Sequence, residues 1–259
     1  MSGCLFLLTW IGTAPKPDVR GPESPTARRH TSKTAMKKAL SFVETTIGKK
    51  VVMAVTGLIL FGFVIGHMLG NLQVFLGPEV FNDYAVGMHT LAGGKFLVLA
   101  RIILLTAVVL HIVMAVQLIT RSAAARPVGY RMKQDTATTF AAKTMKFSGF
   151  LLLFFILFHL AHFTFPGLAL GAYEHQPYTA AYSNFVNAFR IPWVVALYVA
   201  AQVVLGLHIY HGSWSLLQTL GLNNPLRNGA ITGAARFVAL VVTIGNILLP
   251  LGVLAGLVS

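Results

Sequence analysis

Long runs of apolar residues, separated by short polar connections, dominate the pattern of this chain. A helix rises about 1.5 Å per residue, and a hydrocarbon core about 30 Å thick needs about 20 residues to cross it. Each run is long enough, so we predict an all-α membrane protein with five transmembrane helices in a bundle. The predicted spans cover residues 51–72, 96–119, 147–165, 192–217 and 234–258.

The first 35 residues follow a different pattern, in which a short apolar patch between Cys4 and Thr13 is followed by prolines and arginines. A signal peptide is one interpretation, but the patch lacks a basic start and a small-residue cleavage site. We expect residues 1–35 to form a disordered N-terminal extension. Met36, followed by two lysines, resembles an alternative translation start, and the membrane domain is predicted to span residues 36–259.

Composition supports the membrane class, because 56% of the 259 residues are hydrophobic and only 10% are charged. The net charge of +13 would suit a nucleic-acid partner, but lysine and arginine cluster in the connections between apolar runs. That clustering is typical of membrane orientation, so we expect a lipid bilayer and no nucleic acid. The single cysteine, Cys4, excludes an intrachain disulfide and an iron–sulfur cluster ligated within this chain.

The distribution of charge between the connections predicts an orientation. Lysine and arginine are in excess before the first span, between the second and third spans, and between the fourth and fifth. The other two connections hold Glu79, Asp83 and Glu174 with few basic residues. The positive-inside rule therefore predicts that the N-terminus is cytoplasmic and that the C-terminus lies outside.

Four successive spans each carry a histidine within the apolar run, where polar side chains are costly and usually functional. His67 and His159 lie in spans that enter from the cytoplasm, at depths of roughly 24 and 18 Å by helix rise. His111 and His208 lie in spans that enter from outside, which puts them in the cytoplasmic half. The histidines thus fall into an outer level and an inner level.

Two levels of paired histidines are a pattern expected of a di-haem protein. A haem between two helices needs an axial imidazole on each side of its iron. For any single histidine, a packing or hydrogen-bonding role is the alternative. His162 and His211 also remain alternative ligands, since each lies three residues from His159 or His208 on a similar helix face.

The segments around these histidines resemble a known family over about residues 36–258. The matching segments are Gly57 with Gly66-His67-Met68, Leu110-His111, Phe158-His159, and the stretch from Leu207 to Ser215. They are similar to the five-helix, di-haem cytochrome b subunit of succinate dehydrogenase and fumarate reductase. The segment in the fourth span is the most specific part of the resemblance.

The resemblance implies a ligand set for two haem b groups. It pairs His67 with His159 on one haem iron and His111 with His208 on the other, in agreement with the predicted depths. It also favours His159 over His162 and His208 over His211.

A membrane anchor that is no enzyme on its own is the function that the resemblance implies. A flavoprotein subunit oxidises succinate or reduces fumarate, and an iron–sulfur subunit passes electrons to or from this chain. The chain then exchanges them with a membrane quinone, expected to be menaquinone, in a bacterial cytoplasmic membrane. Arg126, Arg131 and Lys133 are candidates for docking the partner subunits, with simple orientation bias as the alternative.

Two other functions remain open at this point. One is the cytochrome b subunit of a hydrogenase or formate dehydrogenase, which is also a di-haem helical anchor. The other is a haem-free, proton-coupled transporter in which the histidines relay protons.

An electron path that ends at the outer histidine pair needs a quinone pocket near the outer face. Asn71 and Gln73 follow His67 closely, and Glu174 lies in the connection between the third and fourth spans. Quinone reduction takes up protons, so we expect Glu174 to be the acid of the pocket and the two amides to contact the quinone. For the amides, helix capping or contact with lipid headgroups is the alternative.

Overall fold

The computed structural model describes residues 41–125, 139–165, 176–222 and 224–259. The chain divides into two units, residues 1–44 and 45–259, and the elements below belong to the second. The predicted N-terminal extension, residues 1–35, lies outside the described residues. Every regular element in the described part of the second unit is helical.

Helices longer than two turns follow one another along the described part of the second unit. They are α1 (Thr46–Leu72), α2 (Pro78–Thr90), α3 (Lys95–Ala124), α4 (Phe140–Phe163), α5 (Ala181–Phe189), α6 (Pro192–Thr219) and α7 (Asn228–Leu254). Short 3-10 turns occupy Gln73–Leu76, Leu91–Gly94 and Tyr178–Ala180.

Among the described residues, five helical stretches are long and apolar enough to cross a membrane, and they contain α1, α3, α4, α6 and α7. The predicted all-α fold with five helices capable of spanning a membrane is therefore confirmed. Four of these helices begin earlier than the predicted spans, because polar residues near a membrane surface can still be helical, whereas α6 begins at Pro192 as predicted. At the start of α4, for example, the Thr139 hydroxyl accepts a hydrogen bond from the Ala142 amide at 3.2 Å.

The connection between α1 and α3 contains a helix that the span analysis did not predict. Gly77 turns the chain with φ 101°, and Pro78 and Glu79 then begin α2. Proline is favoured at the first helical position, and an acidic residue in the first turn favours the helix dipole. Asn82 on α2 accepts a hydrogen bond at 2.9 Å from the amide of Tyr182 on α5, so the two connections meet at the same end of the bundle.

Helices α1 and α6 occupy the centre of the bundle. The closest packing is between α6 and α7, followed by α1 with α3 and α4 with α6, while α7 also packs on α1. A Cβ atom on Gly206 of α6 would collide with the hydroxyl of Thr243 on α7, which is the close approach that small residues permit between membrane helices. Neither α1 with α4 nor α3 with α6 is a closely packed pair, so side chains fill the space between them.

Candidate functional site

The four histidines of the spans form two facing pairs. His67 on α1 and His159 on α4 have ring centres 5.7 Å apart, with their planes at 84°. His111 on α3 and His208 on α6 have ring centres 6.4 Å apart, with their planes at 59°. The structure therefore brings together the two pairs that the sequence predicts, and each pair bridges two helices that are not closely packed against each other.

The two pairs lie at different levels of the bundle. On α1, Thr56 contacts His111, and His67 follows 11 residues later. On α4, Ser148 contacts His208, and His159 also follows 11 residues later. A helix rise of 1.5 Å per residue then separates the levels by about 16 Å on both helices.

Hydrogen bonds to His111 leave one of its ring nitrogens available. Its Nδ1 lies 3.2 Å from the carbonyl oxygen of Met53 and 3.3 Å from the hydroxyl oxygen of Thr56. The Thr56 hydroxyl donates to the Val52 carbonyl at 2.8 Å, so its oxygen accepts. His111 therefore donates from Nδ1 and presents Nε2 as a lone-pair donor, the usual arrangement of a metal-ligating histidine.

His208 has an equivalent environment on the other side of its pair. Its Nδ1 lies 3.2 Å from the hydroxyl oxygen of Ser148. The Ser148 hydroxyl donates to the Met145 carbonyl at 3.0 Å, so its oxygen accepts the proton of His208 Nδ1. His208 thus also presents Nε2, and the neutral rings of this pair can both act as ligands.

In the other pair, one hydroxyl serves two histidines. The Tyr198 hydroxyl oxygen of α6 lies 3.1 Å from Nδ1 of His159 and 3.1 Å from Nδ1 of His162. The hydroxyl has a single proton, so it can donate to one ring and accept from the other. His159 is the ring that faces His67, whereas His162 packs among aromatic side chains, including Phe158 and Phe163.

Asn71 contacts His67 directly. Its side-chain amide nitrogen lies 3.1 Å from Nε2 of His67, one turn earlier on α1, and donates to it. Gln73 is at the C-terminal end of the same helix, where its backbone N–H bonds to the carbonyls of Gly70 and Asn71. Glu174, the third residue predicted for a quinone pocket, lies outside the described residues.

The surroundings of both pairs suit a flat cofactor. A Cβ atom on Gly57 would lie 3.2 Å from Cε1 of His111, so glycine at this position lets that ring approach α1 closely. A Cβ atom on Gly149 would lie 3.7 Å from Cε1 of His208, which is an ordinary van der Waals contact. An apolar groove of about 440 Å³ between α1 and α3 includes Thr56 and Leu110, beside His111.

The spacing of the rings also fits an iron held between them. Imidazole–metal bonds are about 2 Å long, so two rings on opposite sides of one metal ion have centres about 6 Å apart. The observed separations of 5.7 and 6.4 Å bracket this value. No group of three or more potential metal-ligating side chains occurs among the described residues, but a haem iron takes four ligands from the porphyrin and needs only two from the protein.

The sequence reasoning identified the histidines but missed their hydrogen-bond partners. Thr56, Ser148 and Tyr198 are all buried, and each interrupts an apolar run with a hydroxyl group. That interruption is the signal that could have found them, because a hydroxyl within a span needs a partner.

Comparison of the chain with protein-family models, with curated proteins and with solved structures found no match to any of them.

Proposed function

We propose that this chain is the di-haem cytochrome b membrane-anchor subunit of a succinate:quinone oxidoreductase. The observation that carries the proposal is the pairing of His67 with His159 and of His111 with His208, at two levels of one bundle. The resemblance of the segments around these histidines to that family supports the choice of enzyme class.

In this proposal His111 and His208 hold one haem through their Nε2 atoms. Met53, Thr56 and Ser148 accept the Nδ1 protons, which fixes the tautomer and the ring orientation. Hydrogen-bonded partners of this kind also make the ligating nitrogen more basic. The site therefore has both a ligand pair and the groups that orient it.

His67 and His159 hold the second haem. Tyr198 orients His159 through Nδ1, and Phe63 stacks on His67 with ring centres 5.2 Å apart. To hold an iron, Nε2 of His67 would give up its hydrogen bond from Asn71, a loss of about 1 kcal/mol.

When bound, the two haems supply one-electron redox centres at two levels of the membrane. The apolar helices around them exclude water and ions from the path between the levels. The chain works with a flavoprotein subunit, which carries the dicarboxylate chemistry, and with an iron–sulfur subunit. It passes electrons between that iron–sulfur subunit and a membrane quinone.

The orientation follows from the basic connections, in a bacterial cytoplasmic membrane with the N-terminus in the cytoplasm. The His111–His208 pair then lies nearer the cytoplasmic subunits, and the His67–His159 pair nearer the outer face. Arg126, a candidate for docking those subunits, lies outside the described residues, as do the other two candidates.

We place the quinone site, for menaquinone, at the outer end of α1 and α4. Asn71 is already within hydrogen-bond distance of His67, and Gln73 lies half-buried two residues further on. Glu174 supplies the acid. We expect Glu174→Gln to lose quinone reductase activity while succinate oxidation with a soluble dye and both haems are retained; unchanged quinone turnover would exclude Glu174.

Purification of the complex tests the function as a whole. We expect two b-type haems per chain in a reduced-minus-oxidised optical spectrum, together with co-purifying flavoprotein and iron–sulfur subunits. His89→Ala is a matched control, since His89 lies outside both pairs and stacks on Tyr178 with ring centres 4.3 Å apart. A hydrogenase or formate dehydrogenase partner, or a chain that carries no haem, would overturn the proposal.

A further inference from the structure

Lys49, in the first turn of α1, is a buried cation without an anionic partner among the described residues. Its side chain is 6% exposed, and its ammonium group donates a hydrogen bond to Oε1 of Gln117 on α3. No ion pair involving Lys49 occurs within the described ranges. An ammonium group removed from water needs an opposite charge, and a neutral amide provides only part of that compensation.

Lysines near the end of a membrane helix commonly extend the side chain to the surface. Lys50, the next residue, is exposed in that way. Lys49 instead points between α1 and α3, where its ammonium group meets Gln117. Orientation of the helix in the membrane therefore explains Lys50 but not the enclosed position of Lys49.

The site of Lys49 adjoins the His111–His208 pair. Lys49, Met53 and Thr56 follow one another at helical spacing on one face of α1, and the last two contact His111. On α3, Gln117 follows His111 by six residues, about 9 Å along the helix. A planar group held at His111 between α1 and α3 therefore has Lys49 and Gln117 near its edge.

We propose that Lys49 and Gln117 bind a carboxylate of the haem held by His111 and His208. This inference rests on the proposed function. Lys49 supplies the charge, and the amide NH₂ of Gln117 supplies a second donor while its oxygen holds the ammonium group. A lipid phosphate has similar anionic chemistry, so the experiment must separate the two sources.

The test is a redox titration of the haem that depends on His111, in purified protein reconstituted with haem or with haem dimethyl ester. With haem, we expect Lys49→Met to lower the midpoint potential, because the carboxylate that Lys49 neutralises is left as an unpaired negative charge, which disfavours the reduced state. The expected change in the ratio of reduced to oxidised haem is at least threefold, or about 30 mV at 59 mV per tenfold. With the ester, which has no carboxylate to leave unpaired, the same substitution should cause a clearly smaller shift.

Comparison of the two haem forms works as a double-mutant cycle, since each partner of the interaction is removed separately. An equal shift with haem and with the ester would overturn the proposal in favour of a lipid phosphate. The absence of a shift with either would also overturn it. If the wild-type chain binds no haem, its optical spectrum shows no haem bands. That result would contradict the proposed function itself and not only the role of Lys49.

Three further variants keep the test independent of folding defects. Lys49→Arg retains the cation and should leave the potential near that of the wild type. Lys50→Met removes the exposed neighbouring charge and should have little effect. Gln117→Leu should lower the potential in the same direction as Lys49→Met, and retention of the haem that depends on His67 shows that each variant is folded.

Discussion

At the scale of single residues, hydroxyl groups within the apolar runs determine which nitrogen His111 and His208 present. The Thr56 and Ser148 hydroxyls each donate to a carbonyl of their own helix, so each accepts from the histidine opposite. Helix rise was enough to predict which histidines share a level. It could not predict these partners, because residue spacing does not fix the rotation of one helix against another.

The choice between His159 and His162 shows the same limit. Residues three positions apart on a helix differ by about 60° in direction, which is too little for the sequence to separate them. In the structure His159 faces His67, and His162 shares the hydroxyl of Tyr198. Which of the two histidines faces His67 therefore depends on the rotation of α4 relative to α1 and α6.

Removal of the Tyr198 hydroxyl tests its role as a positioning group. A His159 that binds iron through Nε2 would donate its Nδ1 proton to the Tyr198 hydroxyl oxygen. We therefore expect Tyr198→Phe to retain both haems but to raise the midpoint potential of the haem held by His67 and His159, because loss of this acceptor makes His159 less basic. We also expect a stability loss of about 1–3 kcal/mol, since the buried His162 ring and the half-buried His159 ring each lose a hydrogen bond. Redox titration and thermal unfolding in detergent measure the two effects.

Tyr182→Phe is the matched control for Tyr198→Phe. Its hydroxyl donates to the carbonyl oxygen of Ser259 at 3.3 Å in an exposed position, so neither the potential nor the stability should change appreciably. If Tyr198→Phe lowers the stability while both midpoint potentials stay unchanged, Tyr198 has a structural role only and does not position His159.

Gly57 tests whether the space beside His111 must stay free. We expect Gly57→Val to displace the His111 ring, because even a Cβ atom would lie 3.2 Å from its Cε1. The overpacking should cost about 1–3 kcal/mol and should deplete one haem selectively. Gly62→Val is the control on the same helix, since nothing lies within 4 Å of a Cβ atom there; equal haem loss in both variants would contradict the expectation.

At the scale of helices, length and apolarity were sufficient to predict all five spans, since a bilayer fixes how many apolar residues a helix needs. Helix α2 was missed because its 13 residues mix polar and apolar positions and are too few to cross. Its start was nevertheless visible in Pro78 and Glu79. The close packing of α6 on α7 was not predicted, because it depends on which glycine meets which side chain.

The contact between α6 and α7 can be tested with a pair of substitutions. We expect Gly206→Ala to destabilise the bundle by about 1–3 kcal/mol, because the new Cβ atom collides with the Thr243 hydroxyl. The double variant Gly206→Ala with Thr243→Ala should recover part of the lost stability, since the Cβ atoms of residues 206 and 243 would lie 3.4 Å apart. Thermal unfolding in detergent measures both.

Gly66→Ala is the control for the helix pair, because a Cβ atom at Gly66 meets nothing within 4 Å. It should leave the unfolding temperature nearly unchanged or raise it slightly, since alanine favours a helix over glycine. Additive losses in the double variant would contradict direct contact between Gly206 and Thr243.

At the scale of the whole molecule, the paired histidines lie on the same helices that pack together to form the bundle. The His67–His159 pair joins α1 to α4, and the His111–His208 pair joins α3 to α6. Residues of α1 and α4 also orient the second pair, through Thr56 and Ser148. Four of the five long helices thus contribute residues to the two levels of paired histidines. The fifth, α7, packs against α1 and α6.

The pairing of the four histidines gives the last prediction. We expect His67→Ala and His159→Ala to deplete one and the same haem, and His111→Ala and His208→Ala to deplete the other, because the pairs face each other across different helices about 16 Å apart along the bundle. The two haems are distinguished by midpoint potential, and haem per chain is quantified in each variant. His211→Ala, three residues beyond His208, is the control and should retain both. Depletion of a common haem by His67→Ala and His111→Ala would contradict the two-level arrangement, and loss of a haem in His211→Ala would reassign the ligand on α6.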